Sequence, residues 1–84
     1  MLNDIKALNT HSLLEFLNKH NERLHLDNED FDILKNNKIS GANFLLLKSK
    51  DLNNAGLKIG PVVSLRQFIK DINSGKIHYR YLIF

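Results

Sequence analysis

The chain has 84 residues, of which 43% are hydrophobic and 25% are charged, and these proportions are ordinary for one globular domain rather than two. It contains no cysteine, which excludes disulfides and thiolate metal sites. No apolar run approaches the roughly 20 residues that a membrane-spanning helix needs, and residues 1–6 lack the basic-then-apolar order of a signal peptide. We therefore expect a soluble cytoplasmic domain, with the nucleus as the alternative location.

The first predicted element follows a polar stretch. Residues 1–9 are weakly periodic, so we expect a flexible N-terminal segment there. Thr10 or Ser12 can cap a first helix through its side-chain oxygen, with Glu15 completing a capping box. This helix should end near Lys19, before a loop that contributes inward-facing leucines.

Three further short helices are predicted in the middle of the chain. Asp27 or Asn28 can cap the second helix, whose first turns are acidic and therefore complement the helix dipole. Residues 42–47 form an apolar run that periodicity alone would allow as a buried strand. We predict a helix because the run has no β-branched residue and no partner strand nearby. Ser49 then caps a fourth helix over residues 50–55.

The longest helix comes last and organises the core. Gly56 suits the left-handed position after a helix, and Pro61 suits the first turn of the next one. No helix breaker follows until Gly75. The apolar residues repeat at intervals of three and four, which predicts one buried face. They are Val62, Leu65, Phe68, Ile69 and Ile72.

These elements divide the chain into three parts. We expect a flexible segment at residues 1–9, a folded domain at 10–75 and a C-terminal tail at 76–84. The tail alternates at first and ends apolar, so a strand and a helical continuation both stay open for it.

The net charge of +3 is unevenly distributed. Residues 1–34 hold three Lys or Arg against seven Asp or Glu, whereas residues 35–84 hold nine against two. Acidic and basic faces on two different molecules would attract each other. Charges that are merely spread over a solvated surface would give the same counts.

Several segments together resemble the sterile alpha motif (SAM) domain. Residues 31–41 look like its second helix and the turn after it. Residues 44–52 look like its next apolar segment and short helix, and residues 56–60 look like the start of its last helix. The first helix matches more loosely, without the frequent tryptophan or tyrosine. The resemblance implies an all-α, five-helix SAM-like bundle with a long C-terminal helix.

The resemblance also implies a protein-binding role in a signalling, adaptor or regulatory protein. SAM domains commonly join a mid-loop surface on one domain to an end-helix surface on another, which leads to oligomers or to pairs of different proteins. The end-helix surface would involve Lys58, Ile59, Gly60, Pro61, Val62 and Arg66. The mid-loop surface would involve Glu29, Asp30, Asp32, Asn43, Lys48, Lys50 and Asp51.

RNA hairpin binding is the alternative that the resemblance offers. Phosphate contacts need clustered cations on one face. RNA-binding SAM domains carry such cations at the start of the last helix, where this chain has only Lys58 and Arg66. We therefore expect a protein partner.

No arrangement of residues predicts catalysis. His20 and His25 do not share one helical face, and no carboxylate pair is placed beside them as metal ligands or as an acid and a base. Gly56 and Gly60 have turn roles and do not form a phosphate-binding loop. We expect no enzymatic activity, no cofactor, no metal and no small-molecule substrate.

Overall fold

The structure is a computed structural model, and it describes residues 2–76. Within that range it is built from seven helices and contains no strand, which confirms the all-α prediction. The helices are α1 (Leu2–Lys6), α2 (Thr10–Lys19), α3 (Asn21–Leu24), α4 (Asn28–Asn36), α5 (Gly41–Phe44), α6 (Ser49–Asn54) and α7 (Ile59–Asn73). The alternatives left open for the tail concern residues 77–84, which lie outside the described range.

Two of the helices lie where none was predicted. Helix α1 occupies part of the segment expected to be flexible, and its Ile5 side chain is fully buried. Helix α3 occupies part of the predicted loop and buries Leu24. Helices of four or five residues contain too few positions for a periodic pattern to show. Residues 2–76 therefore contain seven helices where five were expected, and the folded part begins before residue 10.

The helix caps follow the predicted chemistry, but not always at the predicted residue. Asn9 caps α2, and its Oδ1 accepts a hydrogen bond from the Ser12 N–H at 2.8 Å, so the cap is neither Thr10 nor Ser12. Asp27 caps α4, as one of the two predicted candidates. Helix α6 starts at Ser49 with Lys48 as its cap residue, one position before the predicted cap.

One hydrophobic core joins the helices. Helices α3 and α6 pack against α7, α1 packs against α5, and α2 packs against α4 and α3. The predicted face of α7 is confirmed at Leu65, Phe68, Ile69 and Ile72, which are all fully buried, whereas Val62 is only half-buried against the core. The other buried hydrophobic residues are Ile5, Leu13, Phe16, Leu17, Leu24, Leu26, Leu34, Ile39, Phe44, Leu45, Leu52 and Leu57.

A close backbone approach fixes α1 against α5. The N–H of Gly41 donates a hydrogen bond to the Leu8 carbonyl oxygen at 2.9 Å. A Cβ atom at position 41 would lie only 1.8 Å from the carbonyl oxygen of Ile5. Only glycine therefore fits at this contact without a backbone shift.

The turn between α6 and α7 sets the direction of the last helix. Gly56 has φ +108°, as its predicted left-handed role requires. Leu57 is buried and anchors the turn to the core. Lys58, in extended conformation, is the cap residue of α7. No helix within residues 2–76 has both the length and the apolar character needed to cross a membrane.

Candidate functional site

The first two turns of α7 expose aliphatic side chains. Ile59 is 81% exposed and Val63 is 62% exposed, and only one other large hydrophobic residue in the described range is comparably exposed. Residues four apart on a helix are neighbours on its surface. Ile59 and Val63 therefore form an apolar stripe on the outer side of α7, opposite the face that enters the core.

This stripe borders a groove between α6 and α7. The groove has a volume of about 370 Å³. Its lining residues, which define the α6–α7 groove, are Ser49, Lys50, Asn53, Ile59, Val62 and Val63. Lys50 is the single charged residue of the lining, which contains no carboxylate. The groove thus combines an apolar wall with a cationic rim.

The six residues predicted for the end-helix surface differ in exposure and in their contacts. Lys58, Ile59 and Gly60 are exposed at the start of α7, and Pro61 and Val62 are half-buried beside them. Arg66 makes a contact within the domain, because its Nη1 donates a hydrogen bond to the Leu47 carbonyl oxygen at 2.9 Å. Its guanidinium therefore helps to hold the segment between α5 and α6.

The segment between α5 and α6 presents the third exposed aliphatic residue. Leu46 is 77% exposed. The carbonyl oxygens on both sides of it are bound by α7 side chains, since Asn73 Nδ2 donates to the Leu45 oxygen at 3.2 Å and Arg66 donates to that of Leu47. Leu46 is therefore an exposed side chain on a fixed backbone. Sequence reasoning missed it because all four residues from Phe44 to Leu47 looked equally apolar.

The predicted mid-loop residues separate into distinct places. Asn43 and Asp51 line a second cleft of about 400 Å³ together with Asn37, Ile39, Leu47, Asn54 and Ala55. Asp51 also accepts the Lys48 N–H at 2.9 Å and so caps α6. Lys50 instead belongs to the α6–α7 groove, beside residues that were assigned to the end-helix surface.

Asp30 differs from the prediction because it is not a surface charge. The residue is buried, and its Oδ2 accepts the Asp27 N–H at 3.1 Å while the Asp30 N–H donates to Asp27 Oδ1 at 2.9 Å. Burial raises the pKa of Asp30, although the hydrogen bond from the Asp27 backbone opposes that shift. Asp30 therefore completes a capping box, and only Glu29 and Asp32 of this acidic group remain exposed on α4.

The histidines of the described residues occupy separate environments. His20 packs between two aromatic rings, with ring centroids 5.0 Å from Phe16 and 4.9 Å from Phe68. His11 is exposed, and its Nε2 lies 3.5 Å from a carboxylate oxygen of Glu15. Among residues 2–76, no group of three or more His, Cys, Asp or Glu side chains is placed to hold a metal ion.

Comparison with known families identifies the domain. The sequence model of the SAM-like domain matches residues 1–71. The chain belongs to the SAM-like domain family. Searches of curated proteins and of solved structures gave no match. The SAM-like domain includes α1, since the matched range starts at residue 1 and Ile5 is part of the core.

Membership of this family indicates a protein-interaction module in general terms. The start of α7 exposes Ile59 and Val63, with the cationic residues Lys50 and Lys58 beside them.

Proposed function

We propose that this SAM-like domain binds another SAM domain through the start of α7, which serves as its end-helix surface. The observation that carries the proposal is the exposed pair Ile59 and Val63 beside Lys50. Interfaces gain most of their energy from a few well-packed residues that become fully desolvated, while charges around them set specificity and association rate. The α6–α7 groove supplies both kinds of residue.

The other half of the proposed contact is a mid-loop surface on the partner. In this chain the corresponding region includes Asn43, Lys48 and Asp51. A contact between two unlike surfaces leaves one surface of each kind free, so copies can add head to tail when both surfaces fit. We propose a role in a signalling or regulatory protein located in the cytoplasm or the nucleus, where such a module brings partners together.

A bait experiment tests this function. The domain is immobilised as the wild type and as Val63→Asp, and proteins retained from a cell extract are identified by mass spectrometry. Asn18→Asp, which adds the same charge at an exposed position of α2, is the matched control. We expect SAM-domain proteins on the wild type and on the control, with a loss on Val63→Asp. Equal retention on all three baits would contradict the proposed surface.

Sedimentation velocity over a wide concentration range then separates self-association from binding to a different protein. A mass that rises with concentration and falls with salt would indicate charge-steered self-association. Thermal unfolding of each variant shows whether a loss of binding is only a loss of folding.

A further inference from the structure

A third cleft lies along the C-terminal half of α7 and is rich in cations. Its volume is about 510 Å³. Among the described residues, its lining contains three basic side chains and a single carboxylate. The charged and amide side chains that define this α7 C-terminal cleft are Arg66, Gln67, Lys70, Asp71, Asn73 and Lys76.

The carboxylate of the cleft is already bound on both oxygens. Arg23 of α3 forms an ion pair with Asp71 Oδ2, and Gln67 Nε2 donates a hydrogen bond to Asp71 Oδ1 at 3.0 Å. Within residues 2–76, the three basic residues of the cleft form no ion pair with any carboxylate. The cleft therefore holds three positive charges that the described part of the chain does not pair.

The two lysines of the cleft are also not needed to bond the end of α7. Cations near a helix C-terminus can bind the last carbonyl oxygens, which have no partner within the helix. Here backbone groups bind them, since the Lys70 oxygen accepts the Ser74 N–H at 3.0 Å and the Asp71 oxygen accepts the Lys76 N–H at 2.9 Å. The ammonium groups of Lys70 and Lys76 are thus available to a ligand.

The arrangement of the cations suits phosphate oxygens. Arg66 and Lys70 are four residues apart and are therefore neighbours on the surface of α7. Arg66 uses Nη1 to hold the Leu47 carbonyl oxygen, which leaves other N–H donors of its guanidinium. Arginine and lysine are the side chains with which proteins bind phosphate groups.

An exposed aliphatic residue lies beside the cleft. Leu46 is 77% exposed, and two cleft residues, Asn73 and Arg66, bind the carbonyl oxygens on either side of it. Its backbone is therefore fixed to the cleft while its side chain meets solvent. The other two strongly exposed aliphatic residues of the described range, Ile59 and Val63, belong to the α6–α7 groove.

Cations next to an exposed aliphatic group are typical of proteins that bind the surface of an anionic bilayer. The cations attract the lipid headgroups, and the aliphatic group enters the headgroup region. A soluble phosphate would make no use of Leu46. We infer that the α7 C-terminal cleft and Leu46 form a docking surface for an anionic membrane, with lipid phosphate groups bound by the cations of the cleft. This inference goes beyond the proposed function, because no residue of this surface lines the α6–α7 groove.

Cosedimentation with vesicles tests the charge of this surface. The domain is mixed with phosphatidylcholine vesicles that contain either no phosphatidylserine or about 30% of it. We expect binding to the anionic vesicles alone, and added salt should weaken it. Lys70→Gln and Lys76→Gln should each lower the affinity about fivefold, since each removes one cation. Lys58→Gln removes the same charge at the other end of α7 and should lower it by about twofold or less.

A second pair of variants tests the aliphatic contact. Leu46→Ser should lower the affinity for anionic vesicles about fivefold, because it removes the side chain that enters the bilayer. Val63→Ser removes an exposed aliphatic side chain of the α6–α7 groove and should leave the affinity unchanged. All the substituted residues are exposed, so we expect each variant to fold, and thermal unfolding checks this.

Equal binding to neutral and anionic vesicles would overturn the inference, because the cations would then have no role. Equal losses in Lys70→Gln and Lys58→Gln would also overturn it, since overall charge rather than the cleft would explain binding. Full binding by Leu46→Ser would do the same for the aliphatic contact.

The other possible occupants are tested by NMR on the ¹⁵N-labelled domain, with inorganic phosphate and with a short single-stranded RNA. Shifts of the amides of residues 66–76 without any binding to vesicles would mean that the cleft takes a soluble anion or a nucleic acid, and the inference would be wrong. The bait experiment with Val63→Asp concerns different residues, so the proposed function stands or fails separately.

Discussion

His20 is the residue whose protonation the fold disfavours most clearly. Its ring lies between Phe16 and Phe68, and among the described residues its buried Nε2 has no hydrogen-bond partner. Burial lowers the pKa of His20, and the nearby positive charge of Arg23 lowers it further. Arg23 is itself held in place by an ion pair with Asp71, and its guanidinium carbon lies 5.2 Å from the Phe68 ring centroid.

This shift makes folding sensitive to mild acid. A histidine in the unfolded chain has a pKa of about 6.5. The folded state has the lower value, so just below pH 6.5 the unfolded chain binds more protons and stability falls as the pH falls, until the pH passes below the folded-state pKa. We expect urea denaturation to give a smaller free energy of unfolding at pH 5 than at pH 7. His20→Phe keeps an aromatic ring in the pocket and should reduce the difference between the free energies of unfolding at pH 7 and pH 5. If that difference is unchanged in the variant, titration of other groups causes it.

Substitution of Leu65 tests how much one core side chain contributes to the stability of the fold. Its side chain is fully buried in the middle of α7. We expect Leu65→Ala to lower the free energy of unfolding by about 2–5 kcal/mol, because the lost burial and the remaining cavity both contribute. Val63→Ala on the same helix should change it by less than about 0.5 kcal/mol, since Val63 is exposed. Urea denaturation of the two variants measures both values, and a loss below about 1 kcal/mol at Leu65 would place that residue at the surface.

Asp27 and Asp30 show what can and cannot be predicted from the sequence for single residues. Asp27 was one of the two residues predicted to cap α4, because an acidic, amphipathic run follows it, and it is the cap residue. Asp30 was assigned to a binding surface, although it is buried in the capping box with Asp27. A sequence shows which residues are carboxylates, but whether a carboxylate is free depends on local backbone donors that only the fold brings to it.

At the scale of elements, the long helix was the most predictable and the short ones were the least. Helix α7 has fifteen residues and buries a regular stripe, so its face and its end near Ser74 were both correctly expected. Helix α1 buries Ile5 against α5, more than thirty positions later in the chain. Its stability comes from that distant contact, and no local pattern reports it.

Gly41 and Gly60 form a matched pair for testing this packing. A Cβ at Gly41 would collide with the Ile5 backbone, whereas nothing lies within 4 Å of a Cβ at Gly60. We expect Gly41→Ala to destabilise the domain by about 1–3 kcal/mol, as overpacking does. Gly60→Ala should be neutral or should stabilise it by up to about 1 kcal/mol, because alanine favours the helix.

Thermal and urea unfolding of the two glycine variants provide the comparison. Amide hydrogen exchange in α1 should rise selectively in Gly41→Ala, since α1 is the element that the new methyl group displaces. A variant that unfolds like the wild type would mean that α1 is not packed on α5 in solution.

At the scale of the whole molecule, Lys58 is a charge that we propose serves binding rather than folding. Lys58 is exposed at the cap of α7, where the helix dipole favours a negative group. We therefore expect Lys58→Glu to leave the melting temperature unchanged or slightly raised while it weakens association through the α6–α7 groove. Retention of SAM-domain proteins by each immobilised variant measures the binding, and thermal unfolding measures the stability.

Lys70→Glu is the control for that substitution. It makes the same charge change on α7, but Lys70 lies two to three turns beyond the groove. Binding that survives Lys58→Glu, or that falls equally in both variants, would remove Lys58 from the contact.

The separation of exposed and buried positions along α7 has a consequence for how the sequences of such domains diverge. Its buried residues begin at Leu65, while positions 59, 60 and 63 are exposed and a side chain added at Gly60 would meet open space. The proposed partner contact and the buried core residues therefore lie in different parts of one helix. A library randomised at these three positions should yield mostly folded domains with altered preferences, so new specificities can be selected from this scaffold without any compensating change in its interior.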